Sequence, residues 1–305
     1  MQKSDFYSHG KLLITGEYLV LDQVKALALP TKFGQHLSVK ETDSQFSTWE
    51  SYLSDGSLWY KFEFKINEIC QTSYQPKNDF EKRLSQIFRF IKSEKPDLLQ
   101  SEFEFKTSLE FPQNWGLGSS STLINNLAKW SKINPYKLLE NTFGGSGYDI
   151  ASARSETGLF YTRETFDPVI KTTQFPEFLK DHIYFVYLNQ KQNSRDAIQH
   201  YRNISQARKD KSLNQVSQIS EEVINVDNLE RFEEILTQHE EILEKLLGQQ
   251  KVKDKLFPDY KHGIVKSLGA WGGDFVLVTA KNKNQLSYFK NKAYHMILTY
   301  REMIL

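Results

Sequence analysis

The sequence predicts an α+β protein of two domains. Polar–apolar alternation and a hairpin signal dominate its first half, and three- and four-residue apolar spacing marks long helices in its second. Its 305 residues exceed one ordinary domain. The composition turns loop-like from Phe166-Asp167-Pro168 to Phe175-Pro176, which places a boundary between residues 1–170 and residues 171–305.

Taken in order, Leu12–Leu21 is apolar but broken by Thr15-Gly16-Glu17. Gln35–Lys40, Phe46–Leu53 and Ser57–Lys65 alternate as half-buried strands do, and Ser54-Asp55-Gly56 makes Phe46–Lys65 a hairpin. Asp79–Ser93 changes period, with Phe80, Leu84, Ile87, Phe88 and Ile91 on one helical face. Phe103, Phe105 and Leu109 alternate again, and Ser119–Lys132 carries Leu123, Leu127 and Trp130 on a helical stripe. In the second half, Ile183–Leu188 reads as a strand and polar helices run from about Ser194 to Leu247. The clearest is Leu229–Leu247, with Phe232, Ile235, Leu236, Ile242, Leu243 and Leu246 as its buried stripe. Asp227 with Glu230 forms its expected capping box and Gly248 its stop. Phe275–Thr279 is a β-branched strand and Asn284–Leu298 a final helix.

Composition excludes several functions. With 39 Lys+Arg against 38 Asp+Glu, no domain-wide basic field gathers phosphates, so a nucleic-acid partner is not expected. The single cysteine, Cys70, has no internal partner, and no Cys/His cluster has zinc spacing. Met1–Tyr7 is polar, without the apolar core of a leader, and no apolar run reaches the ~18 residues of a spanning helix. A cytoplasmic location without a membrane partner is expected.

The chemistry concentrates in glycine segments. In Asn114-Trp115-Gly116-Leu117-Gly118-Ser119-Ser120-Ser121-Thr122, two glycines let backbone approach a ligand and a run of hydroxyls opens a helix. Unpaired N–H groups and the positive end of the helix dipole then suit a phosphate. The alternative is a tight strand-to-helix turn with a serine as N-cap. No lysine follows the second glycine as a Walker motif requires. Lys266-Ser267-Leu268-Gly269-Ala270-Trp271-Gly272-Gly273-Asp274 precedes a strand, and Gly10-Lys11 begins one, with Gly16-Glu17-Tyr18 a turn later. Three such segments in one chain suggest a polyphosphate held from several sides.

Gly10-Lys11-Leu12 with Gly16-Glu17-Tyr18, Pro112 with Gly116-Leu117-Gly118-Ser119-Ser120, and Gly269-Ala270-Trp271-Gly272-Gly273-Asp274 resemble, in order, the three motifs of the GHMP small-molecule kinases. Gly147-Tyr148-Asp149-Ile150-Ala151 is similar to a string of the subgroup associated with isoprenoid synthesis. The resemblance implies an N-terminal domain like the second domain of ribosomal protein S5 and a ferredoxin-like C-terminal domain. It implies ATP and Mg²⁺ as cofactors, with Gly116, Leu117, Gly118, Ser119, Ser120 and Ser121 around the ATP phosphates and Ser120 on the metal. Asp149 stands where family members have the base that takes the acceptor's proton, with Lys11 beside it neutralising charge. Asp149 as the N-cap of a helix from Ile150 is the structural alternative.

Glu17, Gly269, Ala270, Gly272, Gly273 and Arg195 are the expected substrate-binding residues, Glu17 also being either a second metal carboxylate or a structural residue. Ser8-His9 replaces the usual Ala-Pro, so that His9 is either a substrate contact or a loop residue. Trp271 replaces a usual glycine and is expected to crowd the loop between phosphate and acceptor. The Gly-Glu-Tyr and Lys-x-x-Gly-Ala-x-Gly-Gly-Asp forms look more like phosphomevalonate kinases than galactokinases or homoserine kinases, with mevalonate the next acceptor. A phosphorylated acceptor needs further cations, for which Arg195, Arg154 and Lys266 are candidates. A nucleotide-binding protein without turnover and a diphosphomevalonate decarboxylase are the alternatives. A small-molecule substrate and a monomer or homodimer complete the expectation.

Overall fold

The periodicities of the sequence become strands and helices at nearly the residues expected. The computed structural model describes residues 3–305 apart from Thr165, Lys191, Gln192, Asn193, Ala270 and Gly272, and apart from the side chains of residues 194–196. The strands are β1 (Lys3–Thr15), β2 (Ala26–Thr42), β3 (Ser47–Tyr52), β4 (Leu58–Phe64), β5 (Glu102–Leu109), β6 (Gly158–Thr162), β7 (Val169–Thr173), β8 (Ile183–Tyr187), β9 (Val265–Ser267), β10 (Phe275–Thr279) and β11 (Ile297–Thr299). The first helices are α1 (Ile66–Ile69), α2 (Asp79–Glu94), α3 (Ser119–Ser131), α4 (Pro135–Glu140) and α5 (Tyr148–Ala153). They are followed by α6 (Ser194–Arg202), α7 (Gln206–Glu222), α8 (Leu229–Leu247), α9 (Val252–Leu256), α10 (Ser287–Asn291) and α11 (Tyr300–Met303).

Contacts divide the chain into two interleaved units rather than at one cut. The first comprises Met1–Gly10, Phe33–Gln113 and Gly118–Arg154. In it β3 and β4 form the expected hairpin, β3 runs parallel to β5 with Trp49 opposite Phe105, and β5 is antiparallel to β2 from Gln35↔Leu109 to Thr42↔Glu102. The α2 stripe of Leu84, Ile87, Phe88 and Ile91 is buried against Trp49 and Phe105, each side chain contributing about 2 kcal/mol by area. Asn78 caps α2 by accepting from Glu81 N–H. Ile124 and Leu127 of α3 and Ile150 of α5 join the same core.

The second unit comprises Lys11–Lys32, Asn114–Leu117 and Ser155–Leu305. Residues 155–170, which the sequence reading grouped with the first domain, therefore pack here. β6 pairs with Ala26–Ala28 of β2 and with β7. β8, β9, β10 and β11 form an antiparallel sheet in the order β11-β8-β10-β9. Numbered along the chain that order is four-one-three-two, with helices after the first and third strands, the ferredoxin-like arrangement. Val186, Val276 and Val278 lie in its core with Phe257 and Phe289.

Several boundaries differ from expectation. β1 runs unbroken, so Gly10-Lys11 lies inside a strand instead of starting one. The α8 cap is Asn228, one residue beyond Asp227, because its extended backbone lets its amide accept from Arg231 N–H. The stop at Gly248 is left-handed as expected. Asn284–Leu298 is not one helix. α10 gives way at Ala293, which takes a φ of 67°, and the chain returns as β11 to cover the edge of β8. Among the described residues no helix is long and apolar enough to cross a membrane.

Candidate active site

Within the second unit, parts of all three glycine segments meet. The Lys11 backbone N–H donates to Leu117 O at 3.1 Å. Its ammonium donates to Gly116 O at 3.0 Å. Gly116 takes a φ of +67°, and a Cβ there would lie 2.0 Å from Asp274 Oδ2, so only a glycine lets this backbone pass the carboxylate. Asp274 is held by its own N–H on Gln190 O and by its carbonyl on Leu188 N–H, both at 2.8 Å. Beside this contact Tyr187 donates its hydroxyl to Asn114 O, and Trp115 meets Phe275 edge to face.

Within the first unit, Gly118 caps α3 from a left-handed conformation with φ 89°. The cap is thus a glycine, not a serine, because the left-handed turn favours a residue without Cβ. Ser119, Ser120 and Ser121 become the first three helical residues. The intrahelical ladder starts with Ser121 and Thr122 N–H on Gly118 O, leaving the N–H groups of Ser119 and Ser120 ahead of it. Both serines line a pocket of about 160 Å³ together with Trp59, Phe80, Arg83 and Phe143. Arg83 is fixed there by a 2.9 Å bond to Thr142 O and lies over the Phe143 ring. A helix start opening into an aromatic, cation-bearing pocket suits a nucleotide, with its phosphates toward the serines.

Asp149 lies in the first turn of α5, partly exposed, between the buried Tyr148 and Ile150. The N-cap is Gly147, φ 87°, and the helix starts at Tyr148, which removes the reading of Asp149 as a cap. Burial of Ile150 in the core shared with α3 fixes the turn that carries the carboxylate.

Other expectations change. Glu17 is fully buried, with one oxygen paired to Lys266 and the other 3.3 Å from His239 Nε2. Burial lifts its carboxyl above the usual range against the pull of Lys266. It is therefore engaged inside the unit rather than presented to a substrate or metal, and Lys266, equally buried, is no cation for an acceptor. Trp271 does not crowd a ligand loop: its ring is packed with Tyr18, Leu19, Val24, Tyr201 and Leu243. Gly269 is left-handed with open space around it. Gly273 is buried immediately before Asp274. Arg154 ends α5, exposed, and His9 sits within β1, edge-on to Tyr7. Ala270, Gly272 and the Arg195 side chain lie outside the described residues.

Two residues went unnoticed in the sequence. His239 and Glu240 lie on the buried face of α8, where they join Glu17 and Lys266. The signal was available: both fall between Leu236 and Leu243 on the apolar stripe. Burial pushes Glu240 up to about 8, with Glu17 adding to it and Lys266 opposing. Burial also holds His239 well below the usual imidazole range, with Lys266 adding to the effect. Among the described residues no three His, Cys, Asp or Glu side chains form a group that could hold a metal. The donor set here, a helix-start hydroxyl beside the pocket, fits a magnesium ion that takes most of its ligands from phosphate and water.

No family model matches the chain, and no curated protein sequence does. Solved structures do. The chain is similar to the mevalonate kinase of Methanococcus jannaschii, with a TM-score of 0.72, 18% identity and 97% of each chain covered. It is similar to the Streptococcus pneumoniae phosphomevalonate kinase in complex with phosphomevalonate and AMPPNP, with a TM-score of 0.70, 16% identity and coverage of 97% and 99%. The Lactococcus lactis galactokinase complexed with galactose gives 0.70, 12% identity and coverage of 98% and 93%. At these identities the likeness is one of fold, and it agrees with the two-domain α+β architecture expected from the sequence.

Proposed function

We propose that this chain, which has the fold of the GHMP small-molecule kinases, transfers the terminal phosphoryl group of ATP to the hydroxyl of a small acceptor, phosphomevalonate or mevalonate. The observation that carries the proposal is the meeting of Lys11, Gly116 and Asp274, one from each glycine segment. A lysine ammonium and a carboxylate thereby meet at the backbone of one glycine.

In this reading the pocket bounded by Trp59, Phe80, Arg83 and Phe143 takes the nucleoside, and the N–H groups and hydroxyls of Ser119, Ser120 and Ser121 receive the phosphates. The α3 terminus adds about half a unit of positive charge. The Ser120 hydroxyl would hold magnesium, which when bound would supply neutralisation of the charge on the transferring group. Asp149 accepts the acceptor's hydroxyl proton as its oxygen bonds to the γ-phosphorus and the bridging bond to ADP breaks. Lys11, fixed in place by Gly116, offsets charge on the transferring group. For a phosphorylated acceptor, Arg154 and Arg195 supply the further cations.

The acceptor assignment rests on the Gly-Glu-Tyr, Gly-Tyr-Asp-Ile-Ala and Lys-x-x-Gly-Ala-x-Gly-Gly-Asp segments. The deciding experiment follows ADP and CO₂ release with mevalonate, phosphomevalonate, diphosphomevalonate, homoserine and galactose in turn. ADP without CO₂ on one of the first two is the expected result. ADP with CO₂ on diphosphomevalonate identifies a decarboxylase, and tight ATP binding without turnover a binding protein.

A further inference from the structure

After Gly16 the chain makes two contacts that diverge to opposite parts of the third glycine segment. Glu17 pairs through Oε1 with Lys266, where the segment begins. Tyr18, the next residue, accepts the Trp271 backbone N–H on its hydroxyl at 2.8 Å. Both contacts are buried. The surroundings secure each end. Lys266 also donates to Ser267 O at 2.8 Å, Ser267 N–H reaches Glu240 Oε2 at 3.3 Å, and Gly16 N–H donates to His239 Nε2 at 3.0 Å. The Trp271 indole N–H bonds to Gln250 O at 3.1 Å.

Core packing alone explains neither contact. A buried ion pair is weak evidence for stability, since apolar residues of the same volume often serve as well; fixing register is the best-attested use of such a pair. A phenylalanine would fill the Tyr18 site, stacked on Tyr201, without offering an acceptor to a main-chain N–H. Tyr18 also holds a φ of 62°, a conformation disfavoured for a residue with a Cβ. From Trp271 the chain continues three residues to Asp274, whose carboxylate bears on Gly116, whose carbonyl receives the Lys11 ammonium.

We propose that Glu17 and Tyr18 are positioning residues that clamp the third glycine segment at Lys266 and Trp271, and so hold Asp274, Gly116 and Lys11 in register for phosphoryl transfer. The proposal rests on the kinase reading for its catalytic consequence, and on the hydrogen bonds alone for its structural one.

The test uses the full chain with Tyr18→Phe, and Tyr201→Phe as control. The control removes a second buried hydroxyl, bonded to Asp22, from the same aromatic stack and leaves the Trp271–Tyr18 hydrogen bond in place. Hydrogen exchange of the peptide containing Trp271, kcat, KM for nucleotide, and Tm are read for each. Y18F is expected to speed exchange at the Trp271 amide about tenfold or more and to lower kcat about tenfold, with nucleotide KM nearly unchanged. Y201F is expected to shift Tm while leaving kcat and that amide as in the wild type. Unchanged exchange and kcat in Y18F overturn the proposal. A Y18F chain that does not fold, or a kcat loss matched by Y201F, assigns Tyr18 to packing and overturns it too. If the wild type transfers phosphate to no acceptor, the kinase reading fails, while the exchange comparison still decides whether the clamp exists.

Discussion

Lys11 and Gly116 stand 105 residues apart in the chain and are joined twice, by the lysine ammonium on the glycine carbonyl at 3.0 Å and by the lysine N–H on the next carbonyl, that of Leu117. The second bond holds the backbone and the first aims the side chain. A lysine already fixed loses less freedom when it meets a charged ligand.

Lys11→Met separates these two roles. The backbone bond survives, so Tm should move little, while phosphoryl transfer should fall about 10²- to 10³-fold for loss of one aligned charge donor. ADP release under saturating acceptor measures it; a wild-type rate removes Lys11 from the machinery.

Asp149→Asn keeps size and one acceptor oxygen but replaces the other by an amide donor and cannot take a proton. Turnover should drop about 10²-fold or more, with ATP affinity by calorimetry little changed. Ser120→Ala should instead raise the magnesium concentration needed for half-maximal rate. If the two variants respond alike, the division of roles between the α3 serines and Asp149 is wrong.

Gly116→Ala places a methyl 2.0 Å from the Asp274 carboxylate in a left-handed conformation. Steric overlap added to backbone strain should cost about 2–3 kcal/mol in denaturant unfolding. Gly269→Ala, with a φ of +68° but open space, should cost only the strain, about 1 kcal/mol. Equal losses would show that the Asp274 contact is not tight.

Glu240 gives the protein a pH-dependent stability with a definite sign. Its carboxyl keeps a proton in the folded chain up to about 8, against an ordinary value of 4.5. The stability associated with that proton is complete below about 4.5 and is lost as pH rises through about 8. His239, held neutral, acts oppositely, removing stability as pH falls below 6.5. Between 6.5 and 8, therefore, Tm should decline with rising pH in the wild type and less steeply in Glu240→Gln, where Glu17, its carboxyl also raised by burial, still contributes to the decline. Parallel Tm profiles across that interval would falsify the assignment.

Much of this molecule was legible in one dimension. The α2 and α8 stripes, the hairpin at Phe46–Lys65 and the Gly248 stop follow from local periodicity and turn chemistry, which neighbouring residues settle among themselves. The final segment, expected as one helix over Asn284–Leu298, misled because β8 takes residues 297–299 as its partner, a long-range demand that outweighs local propensity.

The sequence by itself determined the α+β class, the order of the glycine segments and the residue types offered to a phosphate, because backbone preferences and hydroxyl or amide chemistry are local properties. Tertiary structure alone decided which of those residues face one another. Glu17 and Lys266 look like ligand contacts in the chain and Trp271 like an obstacle beside one, and all three are buried in the fold, whereas Lys11 reaches Gly116. Burial depends on what distant strands and helices place around a side chain, and so do the charge states of Glu240 and His239, which no spacing along the chain encodes.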